Sequence, residues 1–332
     1  MRTGTAAYWL IGGLAVAVLF LCSLFYGTIS IPASAVMDIF LGRANESEAW
    51  THIVLQSRLP QALTAMLAGS ALAVSGLMLQ TLFHNPLAGP DILGISNGAN
   101  LGVAIVMLSA GGIVGAGFSV LFAAFGGALA VLVLILYFST KIKNNILILI
   151  IGLMVGYLAS SGISLLNALA ASESIHSYVL WGLGSFSTVS QQQIPFFGIT
   201  ILLGLLASIV LIKPLNVLLL GERYAANLGI HIQQTRICIL LITGLLTATV
   251  TAFCGPVSFI GLAVPHIARM VLSTSNQQLL LPATLVLGMV IALFCNLLTC
   301  LPFTNHLLPL NAVTPLLGAP VIIYVILKKP WL

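Results

Sequence analysis

Acidic residues are scarce in this chain, and its apolar stretches hold none. Six carboxylates occur among 332 residues: Asp38, Glu46, Glu48, Asp91, Glu173 and Glu222, each in a connecting segment. A carrier driven by a proton or sodium gradient usually binds its ion on an ionisable group within the bilayer. An ion-coupled mechanism is therefore disfavoured. No lysine follows a glycine, which removes the G-x-x-x-x-G-K phosphate loop and with it Walker-type ATP binding by this chain. Cys22, Cys238, Cys254, Cys295 and Cys300 form no C-x-x-C pair and lie in apolar runs, where they read as small buried hydrophobes. His52, His84, His176, His231, His266 and His306 are scattered without ligand spacing, so no metal site is expected. No nucleophile is paired with a base, so the chain does not read as an enzyme and no catalytic residue is assigned.

What is present is apolar length. The charged fraction is 5% and the hydrophobic fraction 60%, against roughly 25% charged residues in a soluble domain. A spanning helix needs about 20 mostly apolar residues. Such runs lie near 8–28, 60–82, 92–110, 114–138, 146–168, 192–212, 236–254, 256–272, 279–301 and 310–327. The expectation is an all-α polytopic membrane protein of about ten helices in one transmembrane domain, 1–332, with no soluble domain. The first run leads to no small-residue cleavage site and reads as a retained helix.

An even number of spans puts both termini on one side, and the basic residues choose the side. With cytoplasmic termini the inside holds Arg2, Lys141, Lys143, Lys213, Arg223, Arg236, Arg269, Lys328 and Lys329, and the outside holds Arg43 and Arg58. Nine against two is a strong positive-inside bias. The net charge of +5 thus reflects topology and does not indicate nucleic-acid binding.

Residues 63–88 and 242–267 share a pattern: a small-residue helix, a glycine, and a proline ten residues later. The pairs are Gly76 with Pro86 and Gly255 with Pro265. By the topology above the two runs cross in opposite directions, as in an inverted repeat, and transporters commonly place a pathway between such repeats. The half-repeats would cover about 58–170 and 236–328.

Several longer blocks carry a family likeness. Arg58-Leu59-Pro60 is followed by G-x-x-L-A-x-S-G-x-x-x-Q over 69–80 and by N-P-L-A-x-P-x-x-L-G-x-S-x-G-A over 85–99. Further on come Trp181-Gly182 with Gly184-Ser185, GERYAANLG at 221–229, GPVSFIGLAVPHIAR at 255–269 and PLLGAP at 315–320. Together these resemble the permease subunits of ABC importers for ferric siderophores, haem and cobalamin. The resemblance covers about 55–325. It implies a homodimeric permease in the bacterial inner membrane, with two cytoplasmic ATPase subunits that carry ATP and magnesium. It also implies an extracytoplasmic substrate-binding protein, and no cofactor on this chain.

The resemblance places roles on residues. In a coupling segment near 214–232, Gly221, Glu222, Arg223, Ala225, Ala226, Leu228 and Gly229 would dock on the ATPase. A short helix of small residues suits a groove on a partner, whereas the bland reading is an interhelical turn. Arg58 and Arg43 would pair with acids of the binding protein, since such pairs set register and encounter rate. Alternatively Arg58 anchors a helix end, and Glu46 or Glu48 neutralises Arg43. Where the family carries an acid and a base near the outer end of the ninth span, this chain has Asn296 and Cys300, which leaves His306 as a substitute. Asn85, Pro86, Leu87, Asn144 and Asn145 would close the cytoplasmic gate, or the last two serve as turn residues. Gly76, Gly255, Pro265, His266, Arg269, Gly318 and Pro320 match family blocks and read as structural. The rival classes are an ion-coupled secondary transporter, an intramembrane enzyme and an ABC permease for bare metal ions. Which chelate is carried stays open.

Overall fold

The computed structural model describes residues 2–43, 47–109, 118–300 and 308–328, and all regular structure in them is helical. Glu46, His306 and Lys329 lie outside the described residues. In chain order the helices are α1 (Arg2–Phe25), α2 (Ala33–Phe40), α3 (Glu48–His52), α4 (Leu59–Phe83), α5 (Ile95–Leu108), α6 (Phe118–Lys141), α7 (Asn145–Leu169) and α8 (Ser172–Gly182). There follow α9 (Ile194–Val210), α10 (Ile212–Leu218), α11 (Glu222–Asn227), α12 (Ile232–Cys254), α13 (Ile260–Leu272), α14 (Gln277–Thr299) and α15 (Leu310–Lys328). A π-helical turn, Ile53–Arg58, runs α3 into α4 without a break.

Each of the ten expected runs falls on one helix. Among the described residues six helices are long and apolar enough to cross a membrane, and α9 with α10 makes a seventh bent by 53°. The other three runs, on α5, α13 and Leu310–Tyr324 of α15, are shorter apolar helices. Helices α2, α3, α8, α10 and α11 lack a long apolar run, so hydropathy alone does not mark them.

At the centre α4 and α12 cross each other, and α4 is also flanked by α13 and α14. Residues 68–83 of α4 are buried without interruption because Ala, Gly and Ser let neighbours approach from every side. At Gly76 the approach is closest: a Cβ there would lie 1.6 Å from the Gly261 carbonyl oxygen. Three hydroxyls of α12 are satisfied within the helix, and that of Thr251 meets Ser96 of α5 at 3.4 Å. Thr243, Thr247 and Thr249 donate to Ile239, Thr243 and Leu245 carbonyls at 2.7–2.8 Å, so they add no unpaired polar group to the interior.

The two central helices end alike. After α4 the chain turns at His84, climbs as irregular backbone, and packs Pro90 against Gly261 before short α5 begins. After α12, residues 255–259 run back into the bundle before short α13 begins. Gly255 has φ 73° and ψ −179°, a region open essentially to glycine alone. The starts of α5 and α13 meet inside the bundle. There the Asp91 carboxylate faces the Phe259 N–H and the Ser96 hydroxyl.

Asp91 is in a connecting segment, but that segment re-enters the bundle. Its partners are those of a helix cap, since a carboxylate at a helix N-terminus satisfies free N–H groups and the dipole.

Candidate coupling and gating site

One end of the bundle collects Lys141, Lys143, Lys213, Arg223 and Arg236. The coupling segment folds there as α10, a turn at Gly221 with φ 98°, and α11. The six residues of α11 have two distinct faces. Ala225 is fully buried, whereas Tyr224 is 69% and Leu228 63% exposed, with Leu220 beside them at 62%. Arg223, Ala226, Asn227 and Gly229 are exposed as well. Ala225 is therefore corrected from a docking contact to a packing residue. Tyr224 and Leu220, which the family blocks did not single out, are the exposed side chains beside it. An exposed aromatic on a polar surface was the available signal.

Glu222 also departs from its expected role, because its carboxylate turns toward the protein. Its Oε1 accepts from Asn145 Nδ2 at 2.7 Å and from Arg236 NH2 at 3.3 Å. Arg236 is 3% exposed and also reaches the loop before α7, donating from NH1 to the Ile142 carbonyl at 3.0 Å and from NH2 to the Lys143 carbonyl at 2.7 Å. The sequence marked Arg236 only as an inside charge. Beside this cluster lies a cavity of about 370 Å³ bordered by Ser139, Lys143, Arg223 and Gln233.

The two candidate gate turns lie at the same end. Asn145 Nδ2 donates to the Leu82 carbonyl at 2.9 Å, which brings the start of α7 against the end of α4. Two acceptors on one amide atom identify it as the nitrogen. Asn144 accepts from Ile146 N–H at 2.9 Å and so caps α7. Asn85 accepts from Leu87 N–H at 2.9 Å, closing a local turn that leaves Leu87 exposed. The turn is pinned from two sides. His266 Nε2 donates to the Pro86 carbonyl at 2.7 Å, and His84 Nε2 to the Leu218 carbonyl of α10 at 2.9 Å.

Arg269 donates to Gln80 Oε1 at 2.6 Å, tying α13 to α4. Pro265 lies buried inside α13, Gly318 backs onto Phe259, and Pro320 lies exposed within α15.

The profile of the FecCD transport family matches residues 15–328. The chain belongs to that family. Among its relatives is the vitamin B12 import system permease protein BtuC of Salmonella typhi, 34% identical over 277 residues, which cover 83% of this chain and 84% of that protein. BtuC of Citrobacter koseri is also 34% identical over 277 residues, 83% of each chain. Among solved structures, a metal-chelate type ABC transporter in an inward-facing conformation superposes with a TM-score of 0.84 at 27% identity. That match covers 96% of this chain and 98% of the other. This FecCD chain is an ABC-importer permease, a multi-pass protein of the bacterial inner membrane.

The opposite end of the FecCD chain corrects a second expectation. Arg58 is 5% exposed, and its guanidinium donates to the Leu24 and Phe25 carbonyls at 2.9 Å each and to that of Ile29. The Leu24 and Phe25 carbonyls are end groups of α1, which a helix otherwise leaves without partners, and Ile29 lies just beyond it. Arg58 thus caps the end of α1, a different helix from the one it heads, and its guanidinium is buried. Arg43 remains exposed. Asn296, where the family carries an acid, is 5% exposed and accepts from Gln61 at 2.8 Å, joining α14 to α4. Among the cysteines Cys238 is exposed, against expectation, while Cys254 and Cys295 are buried and all five are free.

On α7 the exposed positions are not all apolar. Tyr157, Ser160, Ser161 and Ser164 share one exposed face, while Leu158, Leu165 and Leu169 share another. A hydroxyl stripe is poorly suited to lipid and well suited to a hydrated cavity.

Proposed function

We propose that the chain pairs with a second copy of itself, binds one ATPase subunit per copy at the α11 end, and receives a metal chelate from a binding protein at the α8 end. The carrying observation is the exposed Tyr224, Leu228 and Leu220 surface, which nothing in the described chain covers. Apolar anchors of this kind are what a partner's pocket takes up. The basic residues at this end make it the cytoplasmic face by the positive-inside bias, with both termini on that side. The α4–α5 and α12–α13 units are read as the matching parts of an inverted repeat. The serine face of α7 lines the pathway, and Leu87 with the Asn144 turn closes its inner mouth. The chain binds no ATP itself; nucleotide and magnesium belong to the partner subunits. The cargo is a chelate of the cobalamin, ferric siderophore or haem class.

Reconstitution tests this directly. In vesicles the purified permease alone should concentrate none of the three chelates. With its ATPase and binding protein it should accumulate one of them when ATP is present inside the compartment bearing the ATPase. Uphill transport by the permease alone would overturn the reading. So would uptake that ignores ATP and collapses with the proton gradient.

A further inference from the structure

Helix α11 is short, and its own packing is on α10 and α12. Helix α7, whose serine face is exposed, has no such packing with it. Yet the first residue of α11, Glu222, is hydrogen-bonded to the first residue of α7, Asn145, at 2.7 Å. The same Asn145 nitrogen holds the Leu82 carbonyl in the last turn of α4, immediately before the turn that carries Leu87. Three helix ends therefore converge on one amide.

The charges around the carboxylate strengthen that convergence. A hydrogen bond to an ionised acceptor is roughly twice as strong as a neutral pair. Arg236 approaches the same Oε1 at 3.3 Å and clamps the Ile142 and Lys143 carbonyls that lead into α7. Both strands of the cluster thus run from α11 to the start of α7, one direct and one through Arg236. His84 adds a separate contact between α10 and the turn after α4.

We infer that Glu222 is a positioning residue that ties the first turn of α11 to the first turn of α7 through Asn145, so that movement of the docked segment reaches the pathway helix through this link. The inference rests on the proposed function, since it assigns α11 to the ATPase and α7 to the pathway. Motion at the docking face is of use only if it reaches the gate. The Glu222 carboxylate, met directly by Asn145 and by Arg236, which also holds the loop before α7, is where that transfer is concentrated.

The test uses the complete complex, permease with ATPase subunits and binding protein, in vesicles, and reads chelate taken up per ATP hydrolysed. Glu222→Ala and Asn145→Ala should each lower that ratio at least about tenfold. The double variant should fall no further than either single one, as for two ends of one link. Glu222→Gln keeps an acceptor for Asn145 and Arg236, and should restore the ratio to within about threefold of the parent. Thermal unfolding and co-purification of the ATPase check that each variant is assembled. A ratio unchanged in Glu222→Ala overturns the tie. So does a double variant that loses the product of the two single effects. Loss of ATPase co-purification in Glu222→Ala also overturns it, since Glu222 would then be a docking contact. If the parent complex itself shows no ATP-driven uptake, the proposed function fails, and with it the tie that rests on it.

Discussion

The two ends of the bundle use their arginines differently. At the α11 end Arg236 is buried, and its partners come from two other elements: the loop before α7 and the carboxylate at the start of α11. At the α8 end Arg58 is equally buried, but every partner lies at the end of α1 or just after it. The first arginine joins separate elements of the fold. The second finishes a helix. A positive charge near a membrane face is thus a statement about depth and says nothing of availability; what it touches decides whether it couples, caps or docks.

The contrast can be broken by substitution, and the largest effect should come from the buried side of the docking helix. Ala225→Asp puts a carboxylate at a fully buried position, at a cost on the order of 4–5 kcal/mol. The variant should be lost from the membrane fraction, whereas Ala226→Asp on the exposed face should accumulate normally. Equal loss of both would remove the distinction between the faces. Next in size, Arg58→Met strands three carbonyl groups of the α1 end and should cost about 3 kcal/mol. It should be read as a fall in the detergent unfolding temperature, with binding-protein affinity kept in the surviving fraction. A stable variant that no longer answers to the binding protein would return Arg58 to the docking list.

Smaller effects sharpen the comparison. Tyr224→Ala removes an exposed anchor and should weaken ATPase association by about 2 kcal/mol, roughly thirtyfold, with the unfolding temperature unmoved. Titration of the ATPase onto the permease in nanodiscs measures it. Arg43→Glu should slow binding-protein association about threefold at low salt and less at high salt, as for an exposed steering charge. Association rates that ignore both the substitution and the salt would leave the α8 end without a docking cation.

Much of the fold was legible because lipid is a demanding solvent. Each of the ten apolar runs carries a helix, but the Gly-to-Pro spacing does not pick out equivalent points: Gly76 lies inside α4 with Pro86 in the turn after it, whereas Gly255 lies in the turn after α12 with Pro265 inside α13. The helices without long apolar runs were not legible, since α8, α10 and α11 owe their positions to packing and not to hydropathy. At the site, GERYAANLG marked the segment that folds as α11 but not its faces. Ala225 and Tyr224 are neighbours in sequence, and only the rotation of α11 against α10 and α12 sends one inward and the other out.

Composition and order alone settled that this chain lives in a bilayer, which way its charges lean, and which family it resembles. The first two follow from transfer free energies summed over long segments and the third from matched sequence blocks, so no contact need be known. Tertiary structure decided everything that depends on two distant residues meeting. It put Asp91 at the start of α13, Arg58 on the end of α1, and Glu222 on Asn145, 77 positions apart. A hydrogen bond needs atoms within about 3 Å, and a linear pattern carries no such distance until the chain has folded.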